Sequence, residues 1–116
     1  MRMWMVDPDI MCLKHLCGEH LELHMFVGSI ERNVSIQGYI NNNLLEPSSI
    51  VERHEELVRE MEKRGYNHKS PITIDWERFN KHFQMKRVKD HKIDREAALQ
   101  ELLSRCSVCR GRHNGL

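Results

Sequence analysis

The sequence lacks the features that mark several common classes of protein. Its 116 residues contain no run approaching the roughly 20 consecutive apolar residues that a membrane span needs. The opening segment, with Asp7 and Asp9 on either side of Pro8, does not read as a signal peptide, so we expect a cytoplasmic protein. Internal repeats, low-complexity tracts and strand-like alternation are also missing. These absences favour a single globular domain over residues 1–116.

Cysteine is scarce: the chain has Cys12, Cys17, Cys106 and Cys109. Without an export signal, these residues are expected to be thiols or metal ligands rather than disulfides. Cys106 and Cys109, followed by His113, have the C-x-x-C spacing of half a zinc site, which Cys12 or Cys17 would complete. Free thiols in a frayed tail over residues 106–116 are the other interpretation. We therefore expect no required cofactor and leave a structural zinc ion open.

Charge is unevenly distributed, although the formal net charge is only +1. Residues 1–60 carry five lysines and arginines against ten acidic residues, whereas residues 61–116 carry thirteen against seven. The basic residues of the second half are dense around Lys86 and Arg87 and recur in the tail. Such a surface is typical of phosphate binding, but solvated helix faces have the same composition. Charge alone indicates nucleic acid without establishing it.

Hydrophobic periodicity predicts an all-α fold with three main helices and a basic C-terminal segment. Asp7 and Pro8 form an N-cap pattern for a first helix that runs through Ile30. A short helix is expected over residues 36–40. Ser49 and Glu52 then form a capping-box pattern for a second helix.

Glycine and aspartate mark the remaining helix ends. Gly65 is expected to end the second helix, and Asp75 to cap a short helix that begins at Trp76. In that helix Trp76 shares one side with Phe79 and Phe83, and we expect all three in the core rather than stacked on a base. Asp94 is expected to cap the last main helix, which ends near Arg105.

The most distinctive stretch runs from Lys14 to Gly28. At helical spacing, one stripe carries His15, Glu19, Glu22 and Phe26, and a neighbouring stripe carries Leu16, Leu23, Val27 and Ile30. The apolar stripe is expected to face the core, so a rigid helix presents the carboxylates. His20 and His24 lie one turn apart, but their order is not that of the H-E-x-x-H motif, and we assign no metal to them.

This stretch resembles the first-helix signature of the pyrimidine-dimer DNA glycosylases of the endonuclease V type, known from phages and algal viruses. The shared features are His15-Leu16, the two glutamates and Phe26-Val27-Gly28. The series continues with Arg53, Glu56-Leu57, Glu60 and residues 63–67, which look like the family's second helix and exit turn, and more weakly with Glu96-Ala97. The resemblance covers most of the chain, densely before residue 70 and poorly after it.

The resemblance implies catalytic roles for Met1 and Glu22. In the family, the α-amine of the N-terminal residue attacks the sugar carbon of the damaged nucleotide and displaces the base to form an imine. An α-amine is less basic than a lysine side chain, so a larger fraction of it is neutral and nucleophilic at neutral pH. The family's essential glutamate falls on Glu22, which would stabilise the cationic sugar and move the proton needed for β-elimination.

The resemblance also implies contacts with DNA, and here the chain departs from the family. Arg2 stands at the position of an arginine that contacts phosphate, and His15 matches a residue that positions the backbone. We expect Lys14, beside His15, to contact DNA as well. Leu21 and Met25 replace two arginines that grip and kink the duplex. The aromatic C-terminal tail that meets the lesion in the family is missing.

We expect other cationic groups to supply part of the phosphate contacts that the two missing arginines would make. These groups are His20 and His24 on the first helix and Lys86 and Arg87 later in the chain. The expected function is that of a monomeric DNA glycosylase with abasic-site lyase activity on damaged or modified pyrimidines in double-stranded DNA. The alternative is a non-catalytic nucleic-acid-binding accessory protein on the same scaffold, with its Cys/His tail supported by zinc.

Overall fold

A computed structural model describes residues 1–68, 70–84 and 87–115, without the side chains of residues 87 and 88. This part of the chain is all-α, as predicted, and contains no strand. The helices are α1 (Leu13–Glu31), α2 (Gln37–Asn41), α3 (Ile50–Lys63), α4 (Trp76–Phe83), α5 (Arg95–Arg105) and α6 (Ser107–Gly115), with short 3-10 turns at Pro8–Ile10, Pro47–Ser49 and Arg87–Asp90. None of the described helices is both long and apolar enough to cross a membrane.

The first helix begins later than the sequence pattern indicated. Asp7 and Pro8 start only a 3-10 turn, in which the Asp7 carboxylate accepts a hydrogen bond from the backbone N–H of Asp9 at 3.0 Å. Cys12 then adopts an extended backbone with ψ of 161°, which separates the turn from α1. The predicted start of the helix at Pro8 was therefore wrong.

Helix α1 is central to the fold, because it packs against both α3 and α4. Its predicted apolar stripe is buried, with Leu16, Leu23 and Ile30 fully inaccessible to solvent. Each such side chain contributes about 1.5–3 kcal/mol to folding on burial. The other stripe is thereby held at a fixed orientation beside the N-terminal segment.

The N-terminal segment is itself part of the core. Met3 and Trp4 are buried, and the backbone N–H of Met3 donates to the carbonyl of Leu44 at 2.7 Å. A chain end usually frays unless packing or hydrogen bonds hold it. These contacts anchor the first residues of the chain against α1 and the loop after α2.

Of the other four predicted caps, three are confirmed and one is wrong. Asp75 and Asp94 accept hydrogen bonds from Arg78 N and Ala97 N at 3.2 and 3.1 Å, and Gly65 ends α3 with a φ of +91° that favours glycine. Ser49 does not cap α3, because its hydroxyl donates to Glu46 instead.

Two further expectations about the second half of the chain were wrong. Trp76 is 53% exposed: it lies in the first turn of α4, and its ring meets that of the buried Phe79 in a T-shaped contact with the ring centres 5.4 Å apart. The tail over residues 106–116, for which fraying was one of the two interpretations, instead forms α6, which packs against α5 and the Pro8–Ile10 turn. Cys109, fully buried, fixes this helix to the body of the protein.

Candidate active site

A cleft of about 620 Å³ lies where the N-terminal segment, α1 and α5 meet. Its walls are formed by Met1, Arg2, Trp4, Lys14, His15, Gly18, Glu19, Glu22, Asn42, Leu44, Glu101 and Arg105. The cleft therefore brings together both residues predicted to be catalytic and three of those predicted to bind DNA. These residues come from sequence positions as far apart as 1 and 105.

Glu22 reaches across the cleft to the start of the chain. Its Oε2 accepts a hydrogen bond from the backbone N–H of Arg2 at 2.9 Å. Only three covalent bonds separate that nitrogen from the α-amine of Met1, so the carboxylate and the amine lie in the same small region. Glu22 is half-buried, and Met1 likewise keeps part of its surface open.

Arg2 forms one wall of the cleft, with its guanidinium stacked 3.7 Å from the centre of the Trp4 ring. Its Nη1 donates to Glu101 Oε2 at 2.7 Å. Nε and Nη2 are buried and have no hydrogen-bond partner among the described residues. A buried guanidinium with two unused donors is suited to an oxyanion such as a phosphate.

Glu19 has a structural role. Its carboxylate receives two hydrogen bonds from Arg53, Nε to Oε2 at 2.7 Å and Nη2 to Oε1 at 2.9 Å, and both side chains are buried. Arg53 also donates to the carbonyl of Val6 and to Glu56. This network joins α1, α3 and the N-terminal segment, and it commits Glu19 to an ion pair.

The first part of the chain matches a known family. The family model described as pyrimidine dimer DNA glycosylase covers residues 1–74, well over half of the chain. The protein belongs to this family. Searches of curated proteins and of solved structures found no match. Membership confirms the resemblance drawn from the first two main helices, and it indicates DNA glycosylase activity and DNA binding in general terms.

The match to the glycosylase family ends before α4, so the region of Lys86 and Arg87 lies outside it. Lys86 and the side chain of Arg87 also lie outside the described residues. Nearby, Lys92 donates to Ser48 and Lys89 to Asn80. The predicted contact of this basic region with DNA stays a prediction.

His20 and His24 do not stand alone on α1 of this glycosylase. They pack with His54 and His68, and the Nε2 atoms of His20 and His68 are 2.8 Å apart. Burial, reinforced by the neighbouring imidazoles, lowers the pKa of His20 to about 4, and burial also lowers that of His24. Both rings are therefore neutral at pH 7, and any DNA contact they make would be as hydrogen-bonding groups rather than cations.

The ligand atoms of His20, His54 and His68 lie close enough together to hold a metal ion. However, both ring nitrogens of His54 already face protein groups, Nδ1 the Glu55 carboxylate at 3.0 Å and Nε2 the Ser70 carbonyl at 3.2 Å. A metal would have to displace one of these partners. The histidine cluster is therefore a poor metal site as it stands.

A second cluster capable of holding a metal consists of Cys12, His15, Cys106 and Cys109. The cluster contains the predicted pair Cys106 and Cys109 and adds His15, which the sequence did not indicate as a ligand. Of the two cysteines in the first half of the chain, Cys12 joins the cluster and the exposed Cys17 does not. His113, the other candidate, instead borders a separate cavity that includes Met5 and Leu99. Burial raises the pKa of the Cys109 thiol to about 12.

Sequence reasoning missed Glu101, Trp4 and His54 as parts of these sites. Glu101 meets Arg2 across 99 positions of sequence, and no local pattern reports a contact of that range. A usable signal existed for the histidines, because His54 falls on the buried face of α3. A polar ring on an apolar stripe indicates a buried polar cluster.

Proposed function

We propose that this protein is a DNA glycosylase with abasic-site lyase activity, in which the α-amine of Met1 is the nucleophile and Glu22 is the acid–base residue. The observation that carries the proposal is the 2.9 Å hydrogen bond from the Arg2 backbone to Glu22, which keeps the carboxylate beside the start of the chain. Membership of the family adds the reaction class.

The proposed chemistry needs only these two groups. The neutral Met1 amine attacks C1′ of the target nucleotide, and the bond to the base breaks with its electron pair on the departing base. One amine proton passes to the base and the other to the sugar ring oxygen, so that the bond between C1′ and the ring oxygen breaks and an imine forms. Glu22 stabilises the cationic sugar and then accepts a proton from C2′, so that the C3′–oxygen bond breaks and the 3′ phosphate leaves. Water finally hydrolyses the imine and releases the amine.

The proposed DNA contacts follow from the cleft. We propose that Arg2, whose buried Nε and Nη2 have no partner among the described residues, binds the phosphate beside the target sugar after a small shift of its guanidinium. The exposed Lys14 extends the same wall. The sugar of a stacked base is not accessible to an amine in a cleft, so we propose that the enzyme, acting as a monomer, bends the duplex and flips a base.

The substrate we propose is a damaged or modified pyrimidine in double-stranded DNA. Leu21 and Met25 are 60% and 49% exposed and put apolar surface where the family has cationic grips. Fewer phosphate contacts mean weaker retention of an undistorted duplex. A base that already pairs poorly costs less to flip, which favours lesions over intact DNA.

Borohydride trapping of the untagged protein tests the nucleophile. Duplexes carrying an abasic site or a cyclobutane pyrimidine dimer are incubated with the protein, reduced, and any adduct is mapped by peptide mass spectrometry. We expect an adduct at Met1 on both. An adduct on the abasic duplex alone would retain the lyase and remove the dimer as substrate, and no adduct would overturn the proposal.

The variant Glu22→Gln tests the acid–base residue. Gln keeps an oxygen that accepts the Arg2 hydrogen bond, so we expect unchanged folding and DNA binding but a strand-cleavage rate lower by about a hundredfold or more. Glu62→Gln, an exposed change on α3, is the matched control and should cleave normally. Normal cleavage by Glu22→Gln would rule out its role.

A second candidate function is that of a non-catalytic nucleic-acid-binding accessory protein, with support from zinc. The apolar surface at Leu21 and Met25 favours it, since loss of the phosphate contacts that hold the duplex is consistent with loss of catalysis on DNA. Binding of duplex DNA that survives both a blocked N-terminus and Glu22→Gln, with no cleavage by the native chain, would identify this function.

A further inference from the structure

We infer that Cys12, His15, Cys106 and Cys109 form a structural zinc site that fastens the C-terminal helices to α1. The four ligand atoms lie within 4.8 Å of one another. Three thiolates and one imidazole are a recurring ligand set for tetrahedral zinc, and a site with four protein ligands has no open position for catalysis.

The distances between the ligand atoms suit zinc. With Zn–S near 2.3 Å and Zn–N near 2.0–2.1 Å, a tetrahedral centre requires S···S distances of about 3.8 Å and S···N distances of about 3.5 Å. The Sγ atoms of Cys12 and Cys106 are 3.9 Å apart. His15 Nδ1 lies 3.1 Å from Cys12 Sγ and 3.7 Å from Cys109 Sγ.

The local backbone is arranged to support thiolates. Cys12 and His15 form a C-x-x-H pair at the start of α1, and Cys106 and Cys109 form a C-x-x-C pair where α5 passes into α6. The backbone N–H of Cys12 points to Cys109 Sγ at 3.2 Å, and that of Cys109 to Cys106 Sγ at 3.4 Å. Such N–H···S hydrogen bonds stabilise metal-bound thiolate and orient it.

The alternatives to a metal account for less of this geometry. A disulfide needs sulfur atoms about 2.05 Å apart and would use only two of the three cysteines, whereas all four cysteines of the chain are free. Three independent thiols have no reason to converge on one imidazole nitrogen. A divalent cation explains the convergence, because each ligand atom then has the same partner.

Zinc at this place would also define one wall of the cleft. Coordination through Nδ1 requires a neutral His15 ring with its proton on Nε2, so that Nε2 is a hydrogen-bond donor. The His15 ring forms a T-shaped contact with Trp4, with the ring centres 5.8 Å apart, and the Arg2 guanidinium stacks on the Trp4 ring. The metal would thus fix His15 and, through Trp4, the position of the Arg2 guanidinium.

Metal analysis of untagged protein from zinc-supplemented medium tests the site without reference to DNA. We expect one zinc per chain by elemental analysis and by native mass spectrometry. Replacement by Co²⁺ should give the visible absorption of tetrahedral thiolate coordination. Protein that is folded and reduced but retains no zinc, or cobalt without thiolate bands, would overturn the inference.

Three variants separate this site from the other candidate ligands. Cys106→Ser should lose most of the bound zinc, whereas Cys17→Ser and His113→Gln should keep it. Since Cys106→Ser could fail to fold, circular dichroism is recorded with it, and native protein is titrated with a chelator in parallel. Zinc retained in folded Cys106→Ser, or lost from Cys17→Ser, would overturn the ligand assignment. The zinc content is independent of cleavage, so this inference and the proposed function can fail separately.

Discussion

Arg2 is held by two contacts of different kinds. The Trp4 face supports the guanidinium at 3.7 Å, and the Glu101 carboxylate neutralises part of its charge. Glu101 also pairs with Arg105, so one carboxylate serves two cations at the edge of the cleft. In a protein that binds DNA, this carboxylate opposes the approach of phosphate while it keeps Arg2 in place.

Replacing that carboxylate should strengthen DNA binding. In Glu101→Gln the amide still accepts a hydrogen bond from Arg2, but a negative charge is lost from the cleft. One such charge near a phosphate is worth about 1 kcal/mol in water, so we expect Kd for duplex DNA to fall about fivefold at low salt. Fluorescence anisotropy measures this effect.

The matched control for this change is Glu96→Gln on the same helix, which removes an exposed carboxylate outside the cleft. Its Kd should change less than that of Glu101→Gln, because screening weakens charges at larger distances. Equal effects in the two variants would assign the gain to net charge alone and contradict a specific role for Glu101.

At the scale of secondary structure, α1 combines a core face with a functional face. Leu16 and Leu23 bury one stripe, and Glu22 and His15 stand in the cleft on the other. Glu19, on the same stripe as Glu22, is buried and binds Arg53 of α3, and this ion pair fixes the rotation of α1 relative to α3. This ion pair therefore supports the orientation of Glu22.

Breaking the buried pair should destabilise the fold more than any surface change. Glu19→Gln leaves the Arg53 guanidinium buried with only Glu56 as an anionic partner, and we expect the free energy of unfolding to fall by about 3 kcal/mol. Urea unfolding followed by circular dichroism measures it. The exposed Glu62→Gln should stay within about 0.5 kcal/mol of the native protein. A similar small loss for Glu19→Gln would show that the pair does not stabilise the fold.

Sequence patterns predicted some of these elements and missed others for physical reasons. The 3.6-residue period correctly predicted the core face of α1. It did not predict where α1 begins: Cys12 is extended because its Sγ and N–H join the cysteine cluster, and hydrophobic periodicity carries no information about such contacts. Helix α6 was missed because its sequence is basic and contains Gly111, so its stability comes from burying Cys109 rather than from an apolar stripe.

The sequence likewise predicted only part of the cleft, namely the residues that lie within the region matched to the family. The resemblance to the glycosylases pointed to Arg2 and Glu22, which belong to the matched part of the chain. The residues that shape their surroundings, Glu101 and Arg105, come from α5 beyond residue 74, where only the three-dimensional fold brings them to the cleft. The side of the cleft formed by α5 therefore lies outside the matched region.

For the whole molecule, the histidine cluster should couple folding to pH. His20 lies against His24 on α1, His54 on α3 and His68 beyond it, with Glu55 the nearby acidic group. Since the Nε2 atoms of His20 and His68 are 2.8 Å apart, one must donate and the other accept, and both cannot be protonated. The accepting ring of this pair must be neutral, and burial favours the neutral form of His20.

The sign of this coupling follows from the pKa of His20, which is about 4 in the folded protein against an ordinary value of 6.5. Between these values the unfolded chain binds more protons than the folded one, so stability is complete above pH 6.5 and is lost as the pH falls towards 4. We expect the thermal midpoint to fall across this interval, and less steeply in His20→Gln than in the native chain. His113→Gln, which changes an exposed side chain of α6, should follow the native profile. Zinc release and carboxylate protonation also lower the thermal midpoint at acid pH, so the informative quantity is the difference in slope between His20→Gln and His113→Gln. Parallel profiles of the two variants would contradict the role of His20.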